Sequence, residues 1–292
     1  MRRDPVDSIE SVKRLPIARL SSTLSSRLPR STAPEPIPAS AAFRVSAHRH
    51  ELSTRDEWER RIQAIPASAL GDNPFAEVLL RHLPVQPGWS ALEIGAIPGR
   101  FLLFLHKAFG YRISGLDYAR DWSLFDDVIR EGKVAEVEKI VADFLSFTTS
   151  RTFHVVASFG FIEHFRDVSD IVRRHTRLVS PGGYLVLSVP NFTRFQYVYH
   201  WLVDRANLRI HNTRAMSKPL IEQLVRRDGF HICYSGHIGR LEVWREDHPL
   251  ASWRRAIDRV TRVVVTRLAP HLPESAWYSP YYLLIARRES HL

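Results

Sequence analysis

Through residues 1–50 the apolar positions show no period, and the stretch from Ser31 to Pro38 carries three prolines that no helix or sheet interior accepts. From about residue 51 short apolar runs alternate with stretches in which apolar residues recur every three or four positions. These are the signatures of strands and of amphipathic helices. On this pattern a strand is predicted at Ser90–Ile94, followed by a glycine-containing turn and a helix over 99–109. Further strands are expected over 111–116, 137–141, 153–159 and 184–189, with helices over Ser123–Glu131 and 167–178 among them. The turn Pro181-Gly182-Gly183 leads into the last of these strands. A helix over 218–228, with Gly229 just past its end, precedes two closing strands at 230–234 and 281–286. Strands alternating with helices at this spacing imply a parallel sheet covered on both faces: an α/β fold, three-layered and doubly wound. The expected organisation is a flexible basic tail over 1–50 and one domain over 51–292.

Composition narrows the class without naming a chemistry. The 292 residues are 45% hydrophobic and 25% charged, which excludes collagen-like, mucin-like and wholly disordered chains. No apolar run approaches the roughly 20 residues of a membrane span. The single cysteine, Cys233, excludes an internal disulfide and a cysteine-based zinc cluster, and reads as a reducing, cytoplasmic setting. The net charge of +10 is uneven. Residues 1–50 carry nine basic against four acidic side chains and residues 251–292 seven against three, which leaves 25 against 24 in the middle. A nucleic-acid enzyme concentrates positive charge around its cleft, so the near-neutral middle argues against a nucleic-acid partner. The tail lacks the apolar core of a secretory signal, and Asp4, Asp7 and Glu10 do not suit an organellar transit peptide.

In an open α/β sheet, ligands bind beyond the carboxyl ends of the strands, where the strand order reverses. The first strand–turn–helix reads Leu92-Glu93-Ile94-Gly95-Ala96-Ile97-Pro98-Gly99-Arg100-Phe101, and the next strand ends in Gly115-Leu116-Asp117. An acid at that strand end can accept hydrogen bonds from two ribose hydroxyls. Against the dinucleotide fingerprint G-x-G-x-x-G, the second and third glycine positions hold Ile97 and Arg100. That argues against an NAD-dependent oxidoreductase, because backbone can no longer approach a pyrophosphate. The sequence also has no Gly-Lys-Ser/Thr for a Walker-type loop. What remains is E-x-G-x-x-P-G, an acid inside the strand and a turn that need not hold phosphate.

That pattern resembles the class I S-adenosylmethionine-dependent methyltransferases, and the likeness extends over roughly residues 72–240. Glu93, Gly95 and Gly99 resemble the family's first motif, usually E-x-G-x-G-x-G, and Asp117 matches the acid that holds the ribose. Ala142-Asp143-Phe144 looks like the segment that contacts adenine, with Asp143 accepting from the exocyclic amine and Phe144 packing on the ring. Ser158-Phe-Gly-Phe-Ile-Glu-His164 resembles the fourth-strand signature S-x-x-x-x-E-H, and residues 178–191 are similar to the helix–turn–strand of the small-molecule branch. The resemblance implies a Rossmann-like sheet with an antiparallel closing strand and S-adenosyl-L-methionine as cofactor. It implies cofactor contacts from Glu93, Gly95, Ala96, Gly99, Asp117, Tyr118, Asp143, Phe144 and Ser158. Ile97 departs from the motif at its middle glycine. A β-branched residue disfavours positive φ, so either the turn uses ordinary dihedrals or cofactor binding suffers.

His164, directly after Glu163, is the candidate catalytic residue: a neutral imidazole there could deprotonate a substrate hydroxyl. Its other reading is a residue that orients the loop or stacks on the cofactor's rim. The aromatic segment from Asn191 to Trp201 reads as core or as a substrate lid. Asn191, Tyr197, His200, His211 and Asn212 are the candidate substrate contacts, within cover segments over 191–217 and 245–278. The amphipathic helix over 253–268 covers a sheet or a neighbouring copy in a homo-oligomer, or rests on an anionic membrane surface. A sulfonium donor is already activated, so the reading calls for neither metal nor covalent nucleophile. The tetrad N/D-P-P-Y/F/W of amino-methylating relatives is absent, since Gly160-Phe161-Ile162-Glu163 follows the fourth strand. The expected function is methyl transfer to a small or lipid-like acceptor, most readily at oxygen. The alternatives are N- or C-methylation and a cofactor-binding protein without catalysis.

Overall fold

The computed structural model describes residues 52, 54–63, 73–245 and 249–290; the tail expected over 1–50 lies outside them. The chain enters through α1 (Arg55–Gln63) and α2 (Ala76–His82). It then alternates β1 (Ser90–Ile94), α3 (Arg100–Phe109), β2 (Arg112–Asp117), α4 (Ser123–Glu131), β3 (Glu138–Val141), β4 (Phe153–Phe159), α5 (Val168–Leu178) and β5 (Val179–Pro190). After these come α6 (Arg194–Val203), α7 (Arg205–Arg209), α8 (Lys218–Arg227), β6 (Phe230–Ile238), α9 (Ser252–Leu268) and β7 (Tyr281–Arg288). The seven strands form one sheet in the order β3-β2-β1-β4-β5-β7-β6. Strand β7 runs antiparallel to both β5 and β6, and the pairings from β3 to β5 are parallel. The strand order reverses between β1 and β4, so a cleft opens above their carboxyl ends.

Alternation along each strand divides the core. Ala91, Val155, Ala157, Val186, Leu283 and Ile285 face α2, α3 and α4. Leu92, Ile94, Val156, Leu185, Leu187 and Leu284 face α5 and α8. Seven of the ten residues of helix α3 are apolar, and six of the ten are buried. Each is worth about 2–5 kcal/mol if truncated to Ala. The helix stops at Gly110, whose φ of +72° closes the last turn with its N–H on the His106 carbonyl. A third, smaller cluster joins Tyr199 and Val203 of α6 to Leu241, Val243, Leu250 and Val265 of α9. The Tyr199 hydroxyl donates to Asp258 Oδ1 (2.6 Å), and Arg262 and Arg245 donate to the same carboxylate.

Two strands outrun their sequence signal. β5 begins at Val179, and the turn 181–183 is a bulge within it: Phe153 pairs with Val179, but Val155 pairs with Tyr184. Gly182 adopts φ +75° there, and a Cβ on Gly183 would lie 2.7 Å from the His154 carbonyl oxygen, so the bulge requires glycine. β6 continues to Ile238 through Ser235-Gly236-His237, a run without apolar alternation, because β7 supplies a long-range backbone partner for each residue. The last strand in sequence is therefore not at the sheet's edge. It inserts between β5 and β6.

Candidate active site

The β1–α3 turn is fixed by backbone bonds to the end of β2. Gly95 and Ala96 both donate to the Leu116 carbonyl (2.9 and 3.2 Å). Gly95 has φ +72°, and a Cβ there would come within 2.6 Å of the Phe161 ring, so only glycine fits. Ile97 keeps an ordinary negative φ, which answers the question raised by its β-branch: this turn does not need the left-handed region at that position. Its side chain packs in the core and lines one wall of the cleft.

Asp117 joins the two turns. Its Oδ2 accepts from Ile97 N–H (3.4 Å) and its Oδ1 from Ala119 N–H (3.0 Å). Burial pushes its pKa up to about 6, against the pull of these amides and of Arg55. Glu93 lies on the opposite side of the turn, 2% exposed. Its carboxylate accepts from the Leu102 N–H, one of the amides that the first turn of α3 leaves unpaired. Burial drives its pKa well above the carboxylate range, partly offset by the Arg100 guanidinium. Its Oε2 has no hydrogen-bond partner among the described residues. A buried acceptor of this kind is costly unless something donates to it.

Three adjoining hollows make up the cleft. The first is a narrow slot lined by Asp117, Tyr118, Ala142, Asp143, Phe144 and Phe161. Asp143 Oδ1 accepts from Leu145 N–H (2.8 Å), which shapes the turn after β3 and presents the Phe144 ring beside Phe161. The second, of about 340 Å³, is lined by Glu93, Gly95, Ile97, Arg100, Arg61 and Asn207, among others. The third, of about 370 Å³, is lined by the aromatic rings of Phe75, Phe101, Phe159, Trp244 and Tyr281 together with Glu163, His164 and His211, among others. Trp58 of α1 and His164 border both the first and the second hollow.

His164 sits in a 3₁₀ turn, Ile162–His164, held from two sides: Leu52 N–H donates to the His164 carbonyl (2.8 Å) and Asn212 N–H to the Glu163 carbonyl (2.7 Å). Its Nδ1 donates to the Ile210 carbonyl (3.3 Å), and Nε2 is left with the lone pair. Burial lowers its pKa to about 4 and raises that of Glu163 to about 8. The imidazole is neutral at pH 7, and on its own it is a weak base.

Of the cofactor contacts implied by the sequence, Glu93, Gly95, Asp117, Tyr118, Asp143 and Phe144 line the cleft. Ala96 is fully buried beneath the turn. Gly99 is the N-cap of α3 with φ +91°, packed so closely that a Cβ would lie 2.8 Å from Phe125. Ser158 corrects the expectation: it is fully buried, shares the face of the core residue Val156, and leaves Phe159 and Phe161 to reach the cleft.

The acceptor side needs more correction. His211 lines the cleft, whereas Asn191, Asn212, Tyr197 and His200 do not border these hollows. The Asn191 amide donates to the carbonyls of Ser279 (2.8 Å) and Ala276 (3.3 Å) and accepts from the Thr193 hydroxyl, stitching two cover segments together. Asn212 is spent on the Phe165 and Arg166 carbonyls. Tyr197 is 44% exposed on the outer face of α6. His200 is buried behind the wall, between Phe192 and Trp244. The residues not anticipated are Trp58, Arg61, Arg100, Asn207, Trp244 and Tyr281. Glu163 and Phe161 already lay inside the 158–164 signature, and a buried acid beside His164 was the signal available there.

A protein family described as a methyltransferase domain matches residues 49–234. No curated protein matches the sequence. Among solved structures, the N-methyltransferase NodS of Bradyrhizobium japonicum, in complex with S-adenosylhomocysteine, is similar at a TM-score of 0.51 and 15% identity, over 80% of this chain and 97% of that one. A chain from the complex between the Haloferax volcanii Trm112 methyltransferase activator and its methyltransferase partner gives 0.52 and 17%, over 80% and 97%. Identities this low speak for the fold. The family match covers well over half of the chain, and the acidic turn, the orphaned Glu93 oxygen and the glycine cradle at Gly95 all suit a cationic nucleoside. This chain therefore belongs to the class I S-adenosylmethionine-dependent methyltransferases and is an enzyme of that kind.

Proposed function

We propose that the protein methylates an oxygen of a small, largely apolar acceptor, with the adenosyl donor spanning the first and second hollows and the acceptor in the third. When bound, S-adenosylmethionine supplies a methyl group on a positively charged sulfur. Asp117 accepts from the ribose hydroxyls, Asp143 and Phe144 hold the base, and Glu93 offers its free oxygen to the donor's ammonium. The aromatic lining of the third hollow excludes water and grips a flat or hydrocarbon acceptor. The observation that carries this reading is the position of His164, which lines all three hollows and so stands where donor and acceptor would meet.

The segments over 191–217 and 245–278 act as the acceptor's cover, and α1 closes the donor's side through Trp58. Helix α9 supports a lipid-like acceptor. Trp253, Val260, Val264 and Leu268 are exposed along it beside Arg254, Arg255, Arg259 and Arg267, a face suited to an anionic membrane surface. Among the described residues no helix is long and apolar enough to cross a membrane. A panel of phenols, hydroxylated long-chain molecules and amines, incubated with the protein and the donor and assayed for S-adenosylhomocysteine, tests the proposal. Turnover with hydroxyl acceptors is expected; turnover with amines alone would replace oxygen by nitrogen.

A further inference from the structure

Glu163, His164 and His211 each offer one ligand atom, and these atoms all lie within 4.8 Å of one another. Glu163 Oε1 and His164 Nε2 are 4.0 Å apart. Each imidazole has its Nδ1 fixed on a backbone carbonyl, His164 on Ile210 (3.3 Å) and His211 on Asn207 (2.7 Å). Those bonds set the tautomer and leave Nε2 of each ring free, the arrangement that orients metal-binding histidines. Glu163 is 1% exposed and its Oε2 has no hydrogen-bond partner among the described residues. A buried carboxyl without a donor needs a reason. The three side chains share one wall of the third hollow, where the acceptor is placed.

We infer that Glu163, His164 and His211 form a binding site for a divalent transition-metal ion in the acceptor half of the cleft. Two imidazoles and one carboxylate suit zinc, iron, cobalt or manganese, whereas magnesium and calcium prefer oxygen ligands throughout. Ligand atoms around such an ion lie about 3–3.5 Å apart, so the side chains close inward by roughly 1 Å on binding. Arg61, whose charge reaches both rings, opposes the ion, and Glu163, protonated at pH 7 in the free protein, offsets it by releasing its proton as the ion binds. The inference rests on the oxygen-acceptor reading and deepens it. An ion on this wall takes the acceptor's hydroxyl oxygen as a further ligand and lowers its pKa, and the proton is released to water. It gives His164 a ligand's role in place of a base's, and it departs from the sequence reading, which called for no metal.

The test uses the full chain, stripped with a chelator and titrated with Co²⁺, followed by visible absorption and equilibrium dialysis. One Co²⁺ per chain is expected, displaced by Zn²⁺, with affinity at least about tenfold weaker in Glu163→Gln and His211→Ala. Glu163→Asp, which keeps the charge, recovers part of the loss. Both weakened variants should keep the wild-type circular dichroism, and Glu163→Gln, whose side chain lines only the third hollow, should still bind S-adenosylhomocysteine, which shows that they fold. Absence of Co²⁺ binding at millimolar concentration, or binding unchanged in both variants, overturns the metal site while leaving the methyltransferase reading intact. Co²⁺ binding without any S-adenosylhomocysteine binding in the wild type would instead defeat the donor placement on which the inference rests.

Discussion

The two halves of the cleft are built by different means. On the donor side, Glu93, Gly95, Asp117 and Asp143 all sit at the ends of β1, β2 and β3, within a few residues of a strand that fixes their backbone. Their side chains bond locally: Asp117 to Ala119, Asp143 to Leu145. On the acceptor side, the wall is collected from Phe75, Arg100, Glu163, His211, Trp244 and Tyr281, which span more than 200 positions of the chain. Arg100, Glu163 and Tyr281 lie at or near strand ends, but Phe75, His211 and Trp244 come from the segments above the sheet, and the wall closes only because those segments pack as they do. A site made by strand ends is held by the sheet. A site made by covers depends on how those covers dock, and it can diverge without disturbing the fold.

Substitutions can break this contrast. The largest effect is expected from Gly95→Ala, where a Cβ would sit 2.6 Å from Phe161 at φ +72°. The strain and clash should cost about 1–3 kcal/mol of stability in denaturant melts and abolish detectable S-adenosylhomocysteine binding. Asp117→Ala comes next. Losing charge-assisted bonds worth about 1.5–3 kcal/mol should weaken cofactor binding by about 10- to 100-fold in calorimetry.

The same contrast decides what could be read from the sequence. The order of strands and helices, the acids at 93, 117 and 143 and the positive-φ glycine at 95 were legible, because each is a short-range requirement of a strand end or a turn. Ser158 was misplaced because the motif gives a position in sequence and the pleat decides the face: Ser158 points with Val156 into the core. Asn191 and Asn212 looked like ligand-binding amides, but buried carbonyls in neighbouring segments claimed them. No periodicity marks Trp58 or Trp244 as cleft residues, since the segments that carry them acquire a wall only by docking. The insertion of β7 between β5 and β6 was equally out of reach, being a matter of long-range pairing.

Smaller effects sharpen the comparison. The Asp117 pKa of about 6 lies above the ordinary value of 3.8 because of burial, so its charge is complete only above that pH. Cofactor affinity should rise about tenfold between roughly pH 5 and 7 as the carboxylate ionises, and Glu93, raised in the same direction, adds to this trend at higher pH. Stability is the wrong readout for this titration. The raised Asp117 makes the free fold less stable as pH climbs from 3.8 to 6, whereas buried His164 and His175, both lowered to about 4, make it less stable as pH falls from 6.5 toward 4. In the acceptor half, Tyr281→Ala, at a residue that lines the third hollow and neither of the other two, should raise the acceptor KM several-fold, by about 1 kcal/mol, and leave cofactor affinity unchanged. Tyr197→Ala, on the outer face of α6, should change stability and both affinities by less than about 0.5 kcal/mol.

Calorimetric titration of S-adenosylhomocysteine into the wild type, Asp117→Ala and Tyr281→Ala is the most direct test of the donor site. One equivalent bound by the wild type is expected, with at least tenfold weaker binding by Asp117→Ala and near wild-type binding by Tyr281→Ala, whose side chain lines only the third hollow. No heat with the wild type, or equal loss in both variants, would contradict a donor site held by the strand ends.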